Sequence, residues 1–158
     1  MSTKYFIFFI LVPLFFSCDN NDDAPVIDTN VTDHVLIEIN KLRATGCKCG
    51  DEDMPPVPEL VSNSILAQTA INHAHDMNTR NYFSHISPEG TSPIQRASTL
   101  GYTGNSVGEV IARNFDTSVD VVIGWKNSTD HCKAMMSDTY IKMGAGKSGN
   151  IWVANLGK

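Results

Sequence analysis

Apolar positions recur at helical spacing in three stretches of the chain and at strand spacing in one. In residues 30–45, NVTDHVLIEINKLRAT, Val35, Leu36, Ile39 and Leu42 fall three or four apart and share one helical face. Thr32 or Asp33 is the candidate N-cap, and Gly46 the stop. Residues 50–60, GDEDMPPVPEL, are Pro-rich and read as an extended loop. Residues 61–81 give the clearest helix, with Ile65, Leu66, Thr69, Ala70, His73 and Met77 on one face and Gln68, Asn72, His75 and Thr79 on the other. His73 therefore points inward and His75 outward, and residues two apart on a helix do not converge on a metal. A hydrogen-bonded structural role suits His73 better than a ligand role. A turn-rich stretch follows, then a short helix near residues 93–100. In residues 118–128, SVDVVIGWKNS, Val119, Val122, Ile123 and the stem of Lys126 fall at helical spacing, with Trp125 at the helix end against the core. Residues 140–157, YIKMGAGKSGNIWVANLG, read as two strands joined by a Gly-rich turn, the second alternating and rich in strand-forming side chains. Helices early and strands late predict an α+β layered domain.

The first 30 residues belong to none of these elements. Lys4 precedes an apolar run over residues 5–16, too short to span a bilayer as a stable helix. Ser17 and Cys18 end it. The stretch reads as a signal peptide over residues 1–17, and its end resembles a bacterial lipoprotein processing site, which implies cleavage before Cys18 and acylation of that thiol. Lipid chains there would hold the protein to a membrane surface without a spanning helix. Residues 18–30 are then an acidic, polar tether that forms no core. The domain proper is expected over residues 31–158.

Charge narrows the partners. The chain carries 12 basic and 17 acidic residues, a net −5, and becomes one unit more negative once Lys4 is removed. No basic run exists, which argues against nucleic acid as a partner.

Export changes how the cysteines are read. His131 stands directly beside Cys132, an arrangement that suits a thiol nucleophile with its base, a zinc ligand, or a disulfide beside a functional histidine. Disulfides persist outside the cytoplasm. The pair in CKCG is C-x-C, not the C-x-x-C of a zinc knuckle. A bridge from Cys47 or Cys49 to Cys132 is the plainer account, with one thiol left over. Closing a loop of about 85 residues is worth roughly 4–5 kcal/mol on the chain-entropy model.

Three other polar groups stand out: His85 in YFSH, Glu109 in VGEV and His131 in STDH. Each is flanked by residues able to brace a turn: Tyr82 and Phe83, Gly108, and Trp125. Two imidazoles and a carboxylate from separate segments suit a polar cleft able to take a divalent metal such as zinc, the one cofactor the set would accommodate. No Ser–His–Asp arrangement is legible; Ser84 and Ser128 lie near the histidines in sequence only.

The order of these motifs resembles the CAP superfamily (cysteine-rich secretory protein, antigen 5 and pathogenesis-related domains), in its bacterial extracellular branch. The motifs are HAHDMNTRNYFSHISPEGTSPIQRASTLGYTGNSVGEVIA, then GWKNSTDHCKAMM, then MGAGKSGNIWVANLG. The likeness runs from about Val31 to Lys158. It implies a three-layer α-β-α sandwich with a small antiparallel sheet between helices, and a cleft lined by two His and two acids. His85, Glu109 and His131 match three of those four positions. The second acid should follow Trp125 by three, where this chain has Ser128, and Val110 replaces the Asn common after the GE pair. Within one bacterial subgroup the likeness favours Cys49 as the partner of Cys132, with Cys47 the alternative. Members are variously described as binding sterols or lipids, as binding metal, or as peptidases. The expectation is a membrane-anchored binding or interaction module at a His/Glu cleft. Its ligand would be a small apolar molecule or a cell-envelope or protein partner. The alternatives are a metal-assisted hydrolase at the same cleft and a structural scaffold.

Overall fold

The computed structural model describes Met1 and residues 29–158. The expected signal peptide, Cys18 and nearly all of the acidic tether lie outside these residues. Helix α1 spans Thr29–Thr45 and ends at Gly46, whose φ of +72° suits glycine. Strands β1 (Cys47–Cys49) and β2 (Glu52–Met54) form a small antiparallel hairpin, so the first part of the expected Pro-rich loop, Glu52–Met54, is strand. Strand β3 (Val61–Ser62) leads into helix α2 (Ser64–Thr79), where Asn63 accepts a hydrogen bond from the Leu66 N–H at 3.0 Å as N-cap. Helix α3 is Pro93–Thr99 and opens on Pro93, with the Gln95 side chain accepting from the Ser92 N–H. Strand β4 (Val107–Arg113), helices α4 (Ser118–Lys126) and α5 (Thr129–Met135), and strands β5 (Lys142–Ser148) and β6 (Ile151–Gly157) complete the domain.

The main sheet has the order β3-β5-β6-β4, antiparallel except for the short β3, which pairs parallel to β5. Alternation across the pleat sorts its side chains between two helical layers. Val110, Ala112, Met143, Ala145, Trp152, Ala154 and Leu156 form one core with Val35 and Ile39 of α1, Val121, Val122 and Trp125 of α4, and Met135 of α5. On the opposite face, Ile111, Ile151 and Val153 pack against Ala70, Ala74 and Met77 of α2. The result is the α-β-α sandwich the sequence led one to expect. On β5, Gly144 and Gly146 turn toward α2; a Cβ on either would lie 2.0 Å from the Ala67 nitrogen or 2.4 Å from the Ile71 nitrogen. Those two glycines let the helix backbone rest directly on the strand.

Four local expectations change. Thr32 is not the N-cap of α1: the helix starts at Thr29. Thr32 lies buried on the inner stripe, its hydroxyl donating to the Ala145 carbonyl at 2.8 Å and accepting from the Ala145 N–H at 3.1 Å. In α4 the inward face is Val121, Val122 and Trp125, while Val119 and Ile123 are about half exposed. Strand β6 does not alternate, because a central strand covered by helices on both faces buries all seven of its residues. Strand β4 was not expected at all, its pattern being broken by Gly108 and Glu109 among apolar residues.

Candidate functional site

Glu109 is the hub. It lies on β4 opposite Asn155 of β6, on the sheet face that α2 covers, and its side chain is only 1% exposed. Its Oε1 accepts from His85 Nδ1 at 2.9 Å. Its Oε2 accepts from an Arg96 guanidinium N–H at 2.7 Å. With its amide oriented to satisfy its neighbours, Asn155 Nδ2 donates to the same oxygen at 3.2 Å. His73 Nε2 of α2 comes within 3.8 Å of Oε1. A carboxylate held this way has no face left for a substrate or solvent.

His73 is buried and points inward as expected, but it is also part of this network. Its Nε2 lies 2.9 Å from the Ser84 carbonyl, which can only accept, so Nε2 carries the proton. Burial pushes the His73 pKa down, outweighing the opposing pull of Glu109. Neutral at ordinary pH, His73 ties α2 to the loop that carries His85. Two further links pin that loop: the Tyr82 hydroxyl donates to Asp76, and Arg80 pairs with Glu89 at 2.6 Å. That pairing holds the Glu89 carboxyl down to about 2.

His85 rises from this pinned loop with its side chain 47% exposed. Because Nδ1 donates to Glu109, the neutral ring leaves Nε2 as a lone pair on its other edge. Arg96 braces the same turn from α3, donating to the His85 carbonyl at 2.9 Å and the Thr91 carbonyl at 2.8 Å. His131 comes from α5 and is half-buried. Its pKa is lowered first by burial and then by His85, which places the two rings in electrostatic reach of each other. Ser128 is the N-cap of α5, three residues before His131, and its side chain makes no capping bond. The turn of the β1–β2 hairpin supports α5: a Cβ on Gly50 would lie 2.7 Å from the Thr129 hydroxyl.

Cys49 and Cys132 are joined as a disulfide, with Cα atoms 5.4 Å apart, and among the described residues Cys47 is the free thiol. Cys132 therefore fixes α5 to the hairpin beside His131 and is no nucleophile.

The sequence reading missed Arg96, Asn155 and the part His73 plays. For Arg96 a signal existed, since it is the only basic residue between His85 and Glu109. The residues do not fit a three-ligand zinc site at the cleft. Glu109 is engaged from beneath, and among the described residues the one group of three His, Cys, Asp or Glu donors within 4.8 Å of one another is Cys47, Cys49 and Cys132. The carboxylate instead takes the orienting position behind a histidine.

Comparison with known proteins agrees with the fold and the motif order. The sequence profile of the cysteine-rich secretory protein family matches residues 36–153. The Bacillus subtilis (strain 168) protein YkwD is 35% identical over 92 residues, which are 57% of this chain and 36% of YkwD. The Bacillus subtilis membrane protein YlbC is 34% identical over 90 residues, 57% of this chain and 26% of YlbC. The chain thus matches about a third or less of the length of these relatives. A Bacillus anthracis extracellular protein containing an SCP domain superposes with a TM-score of 0.74 at 25% identity, over 87% of this chain and 43% of that one. An outer surface protein of Borrelia burgdorferi shares the fold with a TM-score of 0.70 at 22% identity, over 84% of this chain and 96% of its own. With the profile spanning most of its length, the three-layer sandwich in place and the His85–Glu109 pair joined across it, the chain belongs to the cysteine-rich secretory protein family.

Proposed function

We propose that this chain is an exported binding module, held at a membrane surface by lipid on Cys18, that takes its ligand at the outward edge of His85 beside His131 and Ser128. The observation that carries the reading is the engagement of both Glu109 oxygens, by His85 and by Arg96, on a side chain 1% exposed. A general base must reach the proton it removes, and this carboxylate is enclosed. It orients His85, whose lone pair, with the Ser128 hydroxyl at the start of the helix that carries His131, suits recognition by hydrogen bonding or by weak coordination of a cation. Resemblance to extracellular and outer-surface proteins supports export, and no helix among the described residues is long and apolar enough to cross a membrane.

The test pairs binding with turnover. Histidine ring resonances are followed by NMR while zinc, and separately muropeptides, are added. Saturable shifts confined to His85 and His131 are expected, and His85→Ala should remove them. Casein and muropeptide digests run alongside should show no product above blank. Turnover abolished by Glu109→Gln would overturn the binding reading in favour of hydrolysis. Histidine resonances that move with neither probe would leave the scaffold reading in its place.

A further inference from the structure

Outside the His85–Glu109 network, the β1–β2 hairpin and α5 bring three sulfur atoms together. Cys47 Sγ lies 3.7 Å from Cys132 Sγ and 4.0 Å from Cys49 Sγ. A metal–thiolate bond of about 2.3 Å places thiolates about 3.8 Å apart in a tetrahedral site and about 4.0 Å apart in a trigonal one. Two edges of a three-sulfur site therefore already stand at ligand spacing, and only the bridged edge has to open.

The surroundings select the cation. Cys49 and Cys132 are fully buried, and the cluster is packed by Met136, Met54, Leu42 and Val57. Two methionines packed with three cysteines make a soft, largely apolar pocket, the environment that favours copper(I) over harder ions. No histidine or carboxylate joins the group as a fourth donor among the described residues. Structural zinc asks for four ligands, whereas copper(I) is satisfied by three. A cavity of about 350 Å³ lined by Met54, Val57, Lys133 and Met136 opens beside the cluster and gives a way in.

We propose that Cys47, Cys49 and Cys132 form a three-thiolate copper(I) site whenever the Cys49–Cys132 bridge is open. Opening the bridge takes two electrons and two protons from a dithiol donor, which leaves as its own disulfide. A chain not yet oxidised already carries the three thiols. Binding one copper(I) then displaces three thiol protons. The bridge and the ion are alternative occupants of one place: a disulfide acceptor that takes two electrons and two protons, and leaves as its dithiol, re-forms the Cys49–Cys132 bond, while the Cys47 thiolate takes back a proton and the copper(I) is released. The leftover thiol, unexplained by the fold, is the third ligand.

The experiment uses the purified protein, its bridge opened with a phosphine reductant, desalted without oxygen and titrated with copper(I) against a chromogenic copper(I) chelator. The expected result is one tightly held ion per chain, a sulfur-to-copper charge-transfer band, and protection of all three thiols from alkylation. Cys47→Ser keeps the Cys49–Cys132 bridge when oxidised, so its fold can be verified first; once reduced it should bind at least tenfold more weakly. A His85→Ala/His131→Ala double variant should bind copper(I) as the parent does. Undiminished affinity in Cys47→Ser, dependence on the two histidines, less than one ion retained against the chelator, or loss of the native circular dichroism on reduction would each overturn the proposal.

Discussion

Removing Arg43 should destabilise the domain more than any surface change. Arg43 continues the inner stripe of α1 that begins with Thr32, Val35 and Ile39, and is 0% exposed. Its guanidinium reaches four backbone carbonyls: Pro58 at 2.8 Å, Met135 at 2.6 Å, Ser137 at 2.9 Å and Tyr140 at 3.2 Å. Two of these, from Met135 and Ser137, lie at the C-terminal end of α5, where helical carbonyls lack partners and a cation is favoured. Burial lowers the Arg43 pKa, with Asp138 partly opposing. Each charge-assisted bond is worth about 1.5–3 kcal/mol, and a buried carbonyl left alone costs about 1–3 kcal/mol. These terms overlap and are offset by relief of the buried charge, so Arg43→Met should lose on the order of 3–5 kcal/mol. Against a typical stability of roughly 5–15 kcal/mol that is about a fifth or more. At about 3–5 °C per kcal/mol for a domain of this size, Tm should fall by roughly 10–25 °C. Methionine keeps the length and apolar packing of the stem, which isolates the lost donors. Arg43→Lys, a point donor unable to span four carbonyls, should fall between Arg43→Met and the parent. Urea unfolding with the disulfide intact should show a lowered midpoint at an unchanged slope. An Arg43→Met loss below about 1 kcal/mol would refute the idea that these carbonyls depend on the guanidinium.

Other outcomes follow from the same structure. Thr32→Val removes both hydrogen bonds to Ala145 while conserving shape, and urea unfolding should show a loss of about 1–3 kcal/mol. Gly144→Ala forces a Cβ to within 2.0 Å of the α2 backbone, so soluble yield and Tm should both collapse, whereas Gly90→Ala, with nothing within 4 Å but a φ of +84°, should lose only about 1–2 kcal/mol. His73 and His131 both have lowered folded pKa values, so the unfolded chain binds more protons once pH falls below the ordinary histidine value of about 6.5. Their contribution is present above that pH and is lost as pH drops toward the lowered folded values; urea midpoints between about pH 7.5 and 5 should fall, and fall less in His73→Gln. Mass spectrometry of membrane-fraction protein should find a diacyl- or triacyl-glyceryl group on Cys18, and an unmodified terminus elsewhere would remove the anchor.

What the sequence made legible was periodicity and motif order. Helices α2 and α3 stand where the apolar spacing and Pro93 put them, as does the β5–β6 hairpin with its Gly149 turn. What it hid were contacts set by tertiary packing. Thr32 looked like a cap because a hydroxyl near a helix start usually is one, and only the position of β5 shows that it bonds across to Ala145. Arg43 drew no attention in the sequence, because the carbonyls that surround it lie 15 to 97 residues away. Strand β6 gave no warning that both its faces are covered, since alternation and continuous burial differ here only at Asn155 and the small residues. Of the cleft, His85, Glu109 and His131 were readable as separate polar points, but the direction of each side chain was not.

That direction decides what the cleft can do. Glu109 sits on the same pleat face as Ile111, and so turns toward α2 rather than into solvent. The close approach of α2 over Gly144 and Gly146 brings His73 down beside it and closes the carboxylate from above. Arg96 then supplies the countercharge a buried carboxylate requires. Of the groups that hold Glu109, His85 is the one with a half-exposed side chain. The glycines of β5, far from His85 in sequence, are thus part of the reason that the histidine, and not the acid, is left at the surface. A second acid at position 128 would have added a carboxylate outside this enclosure. With Ser128 there instead, the one carboxylate of the motif is Glu109, and it stays beneath the surface paired with Arg96.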